Sequence, residues 1–141
     1  MLERPIDHVA LVVADLAQAE KIYATLGFEV RYRERVEEQG VDIVGMRAGD
    51  STIELLKPLA ADSGLDRFRG EKATKLHHIA YRVADIEDEL TRLRSAGIRL
   101  IDERPRRGAH GNLIAFIHPS FLKKSESSPN ISFNFPISDM L

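Results

Sequence analysis

The chain has 141 residues, 30% of them charged, with a formal net charge of −2 and a sequence pI of about 6.2. That length suits one ordinary domain with a sizeable core, and the charge balance excludes the basic footprint of a nucleic-acid or membrane-surface binder. There is no cysteine, which excludes disulfides, thiolate metal sites and a cysteine nucleophile, so a metal must be held by His, Asp or Glu.

The first residues, MLERPIDHVAL, enter a strand pattern at once and carry no signal or transit pattern. No apolar run reaches the ~20 residues that span a bilayer. The expected compartment is the cytoplasm. Residues 6–13 are apolar and β-branched, as a strand requires. Asp15 is a helix N-cap with Gln18 at the capping-box position, and Leu16, Ala19, Ile22, Tyr23 and Leu26 then share one helical face. Gly27 ends that helix. Residues 28–36 alternate apolar and charged side chains, predicting a half-buried strand. Two more strands are predicted around a hairpin at Ala48, Gly49 and Asp50.

Residues 59–75 are polar and form a connector, with a short helix expected near Leu65–Phe68. A strand is predicted over 77–83, a cap at Asp85, and a helix carrying Ile86, Leu90 and Leu93 on one face. Gly97 stops it, and a strand is predicted over 98–102. Residues 104–111 are expected to be a loop, because Pro105 and two glycines break regular structure. Residues 112–118 are strand-like. The Ser-rich stretch 120–129 is expected to be irregular. Residues 130–135, NISFNF, can form an edge strand at best, with Ile131, Phe133 and Phe135 on one face and Ser132 and Asn134 on the other.

The phrase at 7–30 returns without a gap at 77–100. His8/His78, Ala10/Ala80, Val13/Val83, Asp15/Asp85 and Gly27/Gly97 are identical pairs. Such a repeat fixes architecture. The fold class is α+β: one domain, 1–141, of two tandem βαβββ modules, about 5–58 and about 76–135. Each module is marginal alone, so a shared core is expected.

The repeat sets a histidine at the same place in each module's first strand. A lone strand histidine is more often a packed or surface residue than a ligand. Two at symmetry-equivalent positions can instead build one shared metal site. Glu54 is the third candidate, an acid between Ile53 and Leu55. It either faces outward or points inward, where a carboxylate needs a partner that a divalent metal would supply. His77 must face opposite to His78. His110 and His118 read as structural or surface histidines. Arg104, Arg106 and Arg107 form a local basic cluster that reads as a solvated loop or as a contact for an anion.

The set IDHVALVVADL, EEQGVDIVGMRAGDSTIELLKPL, HHIAYRVADIEDEL and GIRLIDERPRRGAHGNLIAFIHP covers roughly residues 6–119. With the repeat, it resembles the vicinal oxygen chelate (glyoxalase-type) superfamily and, within it, the methylmalonyl-CoA epimerase family. The resemblance implies a cupped, barrel-like mixed sheet around one metal site. It implies His8, Glu54 and His78 as ligands of a divalent metal, cobalt foremost, with nickel, manganese, zinc or iron also admissible. It further implies an acyl-CoA substrate, a homodimer, and Glu54 as a catalytic carboxylate. The implied reaction removes and returns the α-proton of methylmalonyl-CoA through a metal-stabilised enolate.

Two positions depart from the family pattern. The closing-strand glutamate, counted from His118, falls on Ser128. If NISFNF takes the closing strand's place, Asn134 stands there instead, and Glu126 is the nearest acid. A glutamate that some members use as a base falls on Ile43, with Asp42 adjacent. The rival readings are a glyoxalase I-type lyase, a non-catalytic small-molecule-binding member of the fold, and a ring-cleaving dioxygenase.

Overall fold

A computed structural model of the chain describes residues 4–118 and the backbone of 132–134. It divides into two units, His8–His77 and the chain that flanks that segment.

The first unit is built on β1 (Ile6–Val13), α1 (Leu16–Thr25), β2 (Glu29–Val36), β3 (Val41–Ala48), β4 (Ser51–Pro58), α2 (Gly64–Arg69) and the start of β5 (Thr74–Tyr81). Asp15 caps α1 as expected, its side chain accepting from the Gln18 N–H at 3.0 Å. Ser63 caps α2 in the same way. A turn at Gly49 and Asp50 joins β3 to β4, and Gly49 supplies the positive φ of 62° the turn requires. The strand order is β2-β3-β4-β1, antiparallel up to β4 and parallel between β4 and β1. One face of these strands buries Val13, Val44, Met46 and Leu55 together with Ala19 of α1, and the opposite face carries His8 and Glu54. Removing a side chain such as the fully buried Leu55 from water contributes roughly 1.5–3 kcal/mol.

The second unit holds the rest of β5, α3 (Ile86–Ser95), β6 (Arg106–Arg107), β7 (Leu113–Ile114), β8 (Phe116–Ile117) and β9 (Ser132–Asn134). Asp85 caps α3 through the Asp88 N–H at 3.1 Å, and Ile86, Leu90 and Leu93 pack with Val83, Ala115 and Ile117. The N-terminal residues belong here too. The Arg82 N–H donates to the Pro5 carbonyl at 2.9 Å, its guanidinium to Asp7 at 3.0 Å, and Arg4 to the buried Glu89 at 3.0 Å. β5 pairs with β9 in parallel, and β9 with β8 antiparallel. This repeats the parallel β1–β4 and antiparallel β4–β3 pairings of the first unit.

Each unit holds a buried cluster of its own, with its helix packed on its strands. Several expectations are corrected. The strand predicted over 98–102 is reduced to a single bridge between Leu100 and Ile117. The cause is local. The Asp102 carboxylate takes the Phe116 N–H at 2.7 Å, and a side chain that captures a backbone donor competes with the ladder. The stretch 104–111 is not all loop, since β6 and β7 form a small hairpin around a tight turn at His110 and Gly111. The strand expected over 112–118 breaks at the buried Ala115 into β7 and β8. Residues 132–134 do not form an edge strand, because β9 lies between β5 and β8. Residues 120–129, with Glu126 and Ser128, lie outside the described residues. No helix among the described residues is long and apolar enough to cross a membrane.

Candidate metal centre

The parallel register of β1 and β4 sets Thr52 opposite His8 and Glu54 opposite Ala10. Both ionisable side chains are turned inward, with 6% of each residue exposed. Of the two readings of Glu54, the inward one holds. His8 Nε2 lies 3.5 Å from Glu54 Oε2, and the other carboxylate oxygen, Oε1, accepts a hydrogen bond from the Tyr32 hydroxyl at 2.5 Å. These contacts address the desolvation of a buried carboxylate, which is costly when no partner is present. In β5, His78 is buried, with 5% exposure, and its ring meets the Phe116 ring edge-on at 5.5 Å.

His8, Glu54 and His78 each offer one ligand atom, and these atoms lie within 4.8 Å of one another. No other such group of three occurs among the described residues. Two imidazoles and one carboxylate are a donor set for a divalent ion of intermediate softness, and three protein ligands leave positions for substrate oxygens. The residues present therefore fit a divalent metal.

The neighbouring candidates are placed elsewhere. His77 meets Phe68 edge-on at 5.0 Å, and burial holds its pKa below the usual histidine value. His110 is exposed at a positive φ of 59°, and His118 is half-buried with its N–H on the Arg99 carbonyl. Ile43 is buried and apolar. Asp42 is held by the Arg35 guanidinium at 2.7 and 2.9 Å, which lowers its pKa and occupies both its oxygens. Arg104, Arg106 and Arg107 are exposed, and Arg106 lies over the Phe116 ring at 4.9 Å. The β5–β9 register sets Ser132 opposite His78 and Asn134 opposite Ala80. The sequence reading missed Tyr32. Its signal is slight: one aromatic at an inward position of a strand otherwise rich in charge.

Residues 7–116 match the model of the Glyoxalase/Bleomycin resistance protein/Dioxygenase superfamily. The ethylmalonyl-CoA/methylmalonyl-CoA epimerase of Cereibacter sphaeroides is 38% identical over 117 residues, 81% of this chain and 87% of that one. A methylmalonyl-CoA epimerase solved in complex with methylmalonyl-CoA and NH4+ superposes with a TM-score of 0.84 at 32% identity, covering 99% of this chain and 96% of that chain. A variant of the Streptomyces coelicolor methylmalonyl-CoA epimerase in complex with 2-nitronate-propionyl-CoA gives 0.85 at 31% identity, covering 99% of this chain and 100% of that chain.

Proposed function

This chain belongs to the Glyoxalase/Bleomycin resistance protein/Dioxygenase superfamily, and from that premise we propose that it epimerises methylmalonyl-CoA at a divalent metal held by His8, Glu54 and His78. The observation that carries the reading is the buried His–Glu–His group in a chain whose relatives bear that enzyme's name. A bound metal would supply Lewis-acid stabilisation of the negative charge that grows on the thioester oxygen as the α-proton leaves.

The chain's own residues do the rest. Glu54 would act as a base on one face of the α-carbon by swinging its Oε2 off the metal, with Oε1 held by Tyr32. Epimerisation needs a second base on the opposite face. Ile43 cannot serve, and the Asp42 carboxylate is committed to Arg35. Slow turnover is therefore part of the proposal. So are cobalt as the foremost metal, a cytoplasmic location and a homodimer.

The testing experiment is metal analysis of the purified chain together with deuterium exchange into the α-position of methylmalonyl-CoA in D2O. Metal-dependent exchange supports the reading. Turnover of methylglyoxal–glutathione hemithioacetal, with no exchange into methylmalonyl-CoA, would replace it with a glyoxalase I-type lyase. The amide at Asn134 gives a second reading, a non-catalytic binder, which predicts acyl-CoA binding without exchange.

A further inference from the structure

Four residues lie in one row across the first unit's sheet. The register pairs Tyr32 with Gly45, Gly45 with Glu54 and Glu54 with Ala10. Tyr32 and Glu54 are thus two strands apart, about 10 Å between backbones at the usual strand spacing. A tyrosine covers that span only by laying its ring across the intervening strand. The intervening residue is Gly45, and a Cβ there would overlap the Tyr32 ring. Gly45 is not among the glycines with positive φ, so its backbone conformation does not call for glycine. A mid-strand glycine otherwise weakens a sheet, and close approach of another group is the remaining reason for one. A register shift between Val30 and Tyr32 adds Arg31 to β2 and aligns Tyr32 with Gly45. Bulges of this kind re-aim side chains beside sites.

We propose that Tyr32 is a positioning residue for Glu54, and that Gly45 is the slot that lets it reach. The hydroxyl occupies Oε1 and leaves Oε2 turned toward His8. In the metal reading above, on which this inference rests, Glu54 then offers one oxygen in a fixed orientation. Without Tyr32 the carboxylate can rotate or offer both.

The test uses the full chain as wild type, Tyr32→Phe, Gly45→Ala, Tyr32→Ala, Glu54→Leu, and the doubles Tyr32→Ala/Gly45→Ala and Tyr32→Phe/Glu54→Leu. Each is titrated with Co2+ while the visible absorption is followed, and each is unfolded in urea with EDTA present. Tyr32→Phe should stay folded, weaken Co2+ binding ~10–100-fold, as loss of an outer partner does, and change the Co2+ spectrum. Gly45→Ala should reproduce that spectrum, because the new Cβ displaces the ring, and should cost little once Tyr32 is alanine. Wild-type affinity and spectrum in Tyr32→Phe would overturn the proposal. So would an equal cost of Gly45→Ala with and without the Tyr32 ring. If the wild type takes up no Co2+, the metal reading fails, and the metal-free unfolding decides the positioning role. Non-additive effects in both doubles would uphold it, and additive effects would overturn it.

Discussion

Glu54 and Asn134 hold the same register position in their respective units. Each stands two residues beyond the partner of a strand histidine, Thr52 opposite His8 and Ser132 opposite His78. The internal repeat therefore extends past the sequence phrase that announces it, into strands with no sequence likeness. The two positions differ in chemistry, since one is a carboxylate and the other an amide.

Replacing His78 with alanine should abolish retention of a divalent metal, with the fold preserved. The same should hold for His8→Ala. The loss should exceed the roughly 10–100-fold expected of an outer partner. His77→Ala should cost stability through its lost contact with Phe68 and leave metal content near wild type. Metal analysis after dialysis, with circular dichroism as the folding control, checks all three. Equal metal loss in His77→Ala and His78→Ala would show that His78 is not the pair's specific metal ligand.

Asp42 tests both pH dependence and the rival base. Its hydrogen bond and charge interaction with Arg35 hold its pKa below the ordinary value of 3.8. A carboxylate depressed in the folded state stabilises above the unfolded pKa, and the benefit is lost as pH falls through the folded value. Asp42→Asn should therefore lower stability slightly at neutral pH and make no difference in strong acid, where wild type and variant converge. The pair is partly exposed, so the effect is small. Turnover should be unchanged in the variant. A large drop in turnover with metal content intact would identify Asp42 as the missing base.

Asp102 explains why the strand predicted over 98–102 does not form. Its carboxylate accepts from the Phe116 N–H at 2.7 Å and lies 3.4 Å from Arg106. Asp102→Ala leaves that N–H without its partner and should cost about 1–3 kcal/mol in urea unfolding. Asp102→Asn, which can still accept, should recover part of it.

Much of this was legible because its causes are local. Asp15 and Asp85 cap helices through bonds to residues three positions on, and these signals read directly off the chain. The histidine pair and Glu54 were legible because the repeat and one acid in an apolar strand break an otherwise uniform pattern. What escaped depends on partners distant in sequence. Tyr32 reaches Glu54 only because of a one-residue register shift and the glycine on the strand between. β6 and β7 have two residues each, too few for any alternation to show. The interior place of β9 is set by β5 and β8 on its two sides, and its own three residues carry no sign of it.

The register position of Asn134 yields the last prediction. An amide contributes no charge to a metal and cannot take up a proton near neutral pH, whereas a carboxylate can do both. Asn134→Glu should tighten divalent metal binding. It should also raise α-proton exchange into methylmalonyl-CoA, by on the order of 10²-fold or more if the new carboxylate serves as the second base. Asn134→Gln lengthens the side chain without adding charge and should change neither quantity. The check is paired: metal dissociation constants by titration, and exchange rates by mass spectrometry in D2O. Tighter metal binding without faster exchange would place the second base elsewhere. No change in either quantity would show that the backbone register of β9 does not bring residue 134 to the site, and the amide would then be irrelevant to the slow turnover proposed for the natural chain.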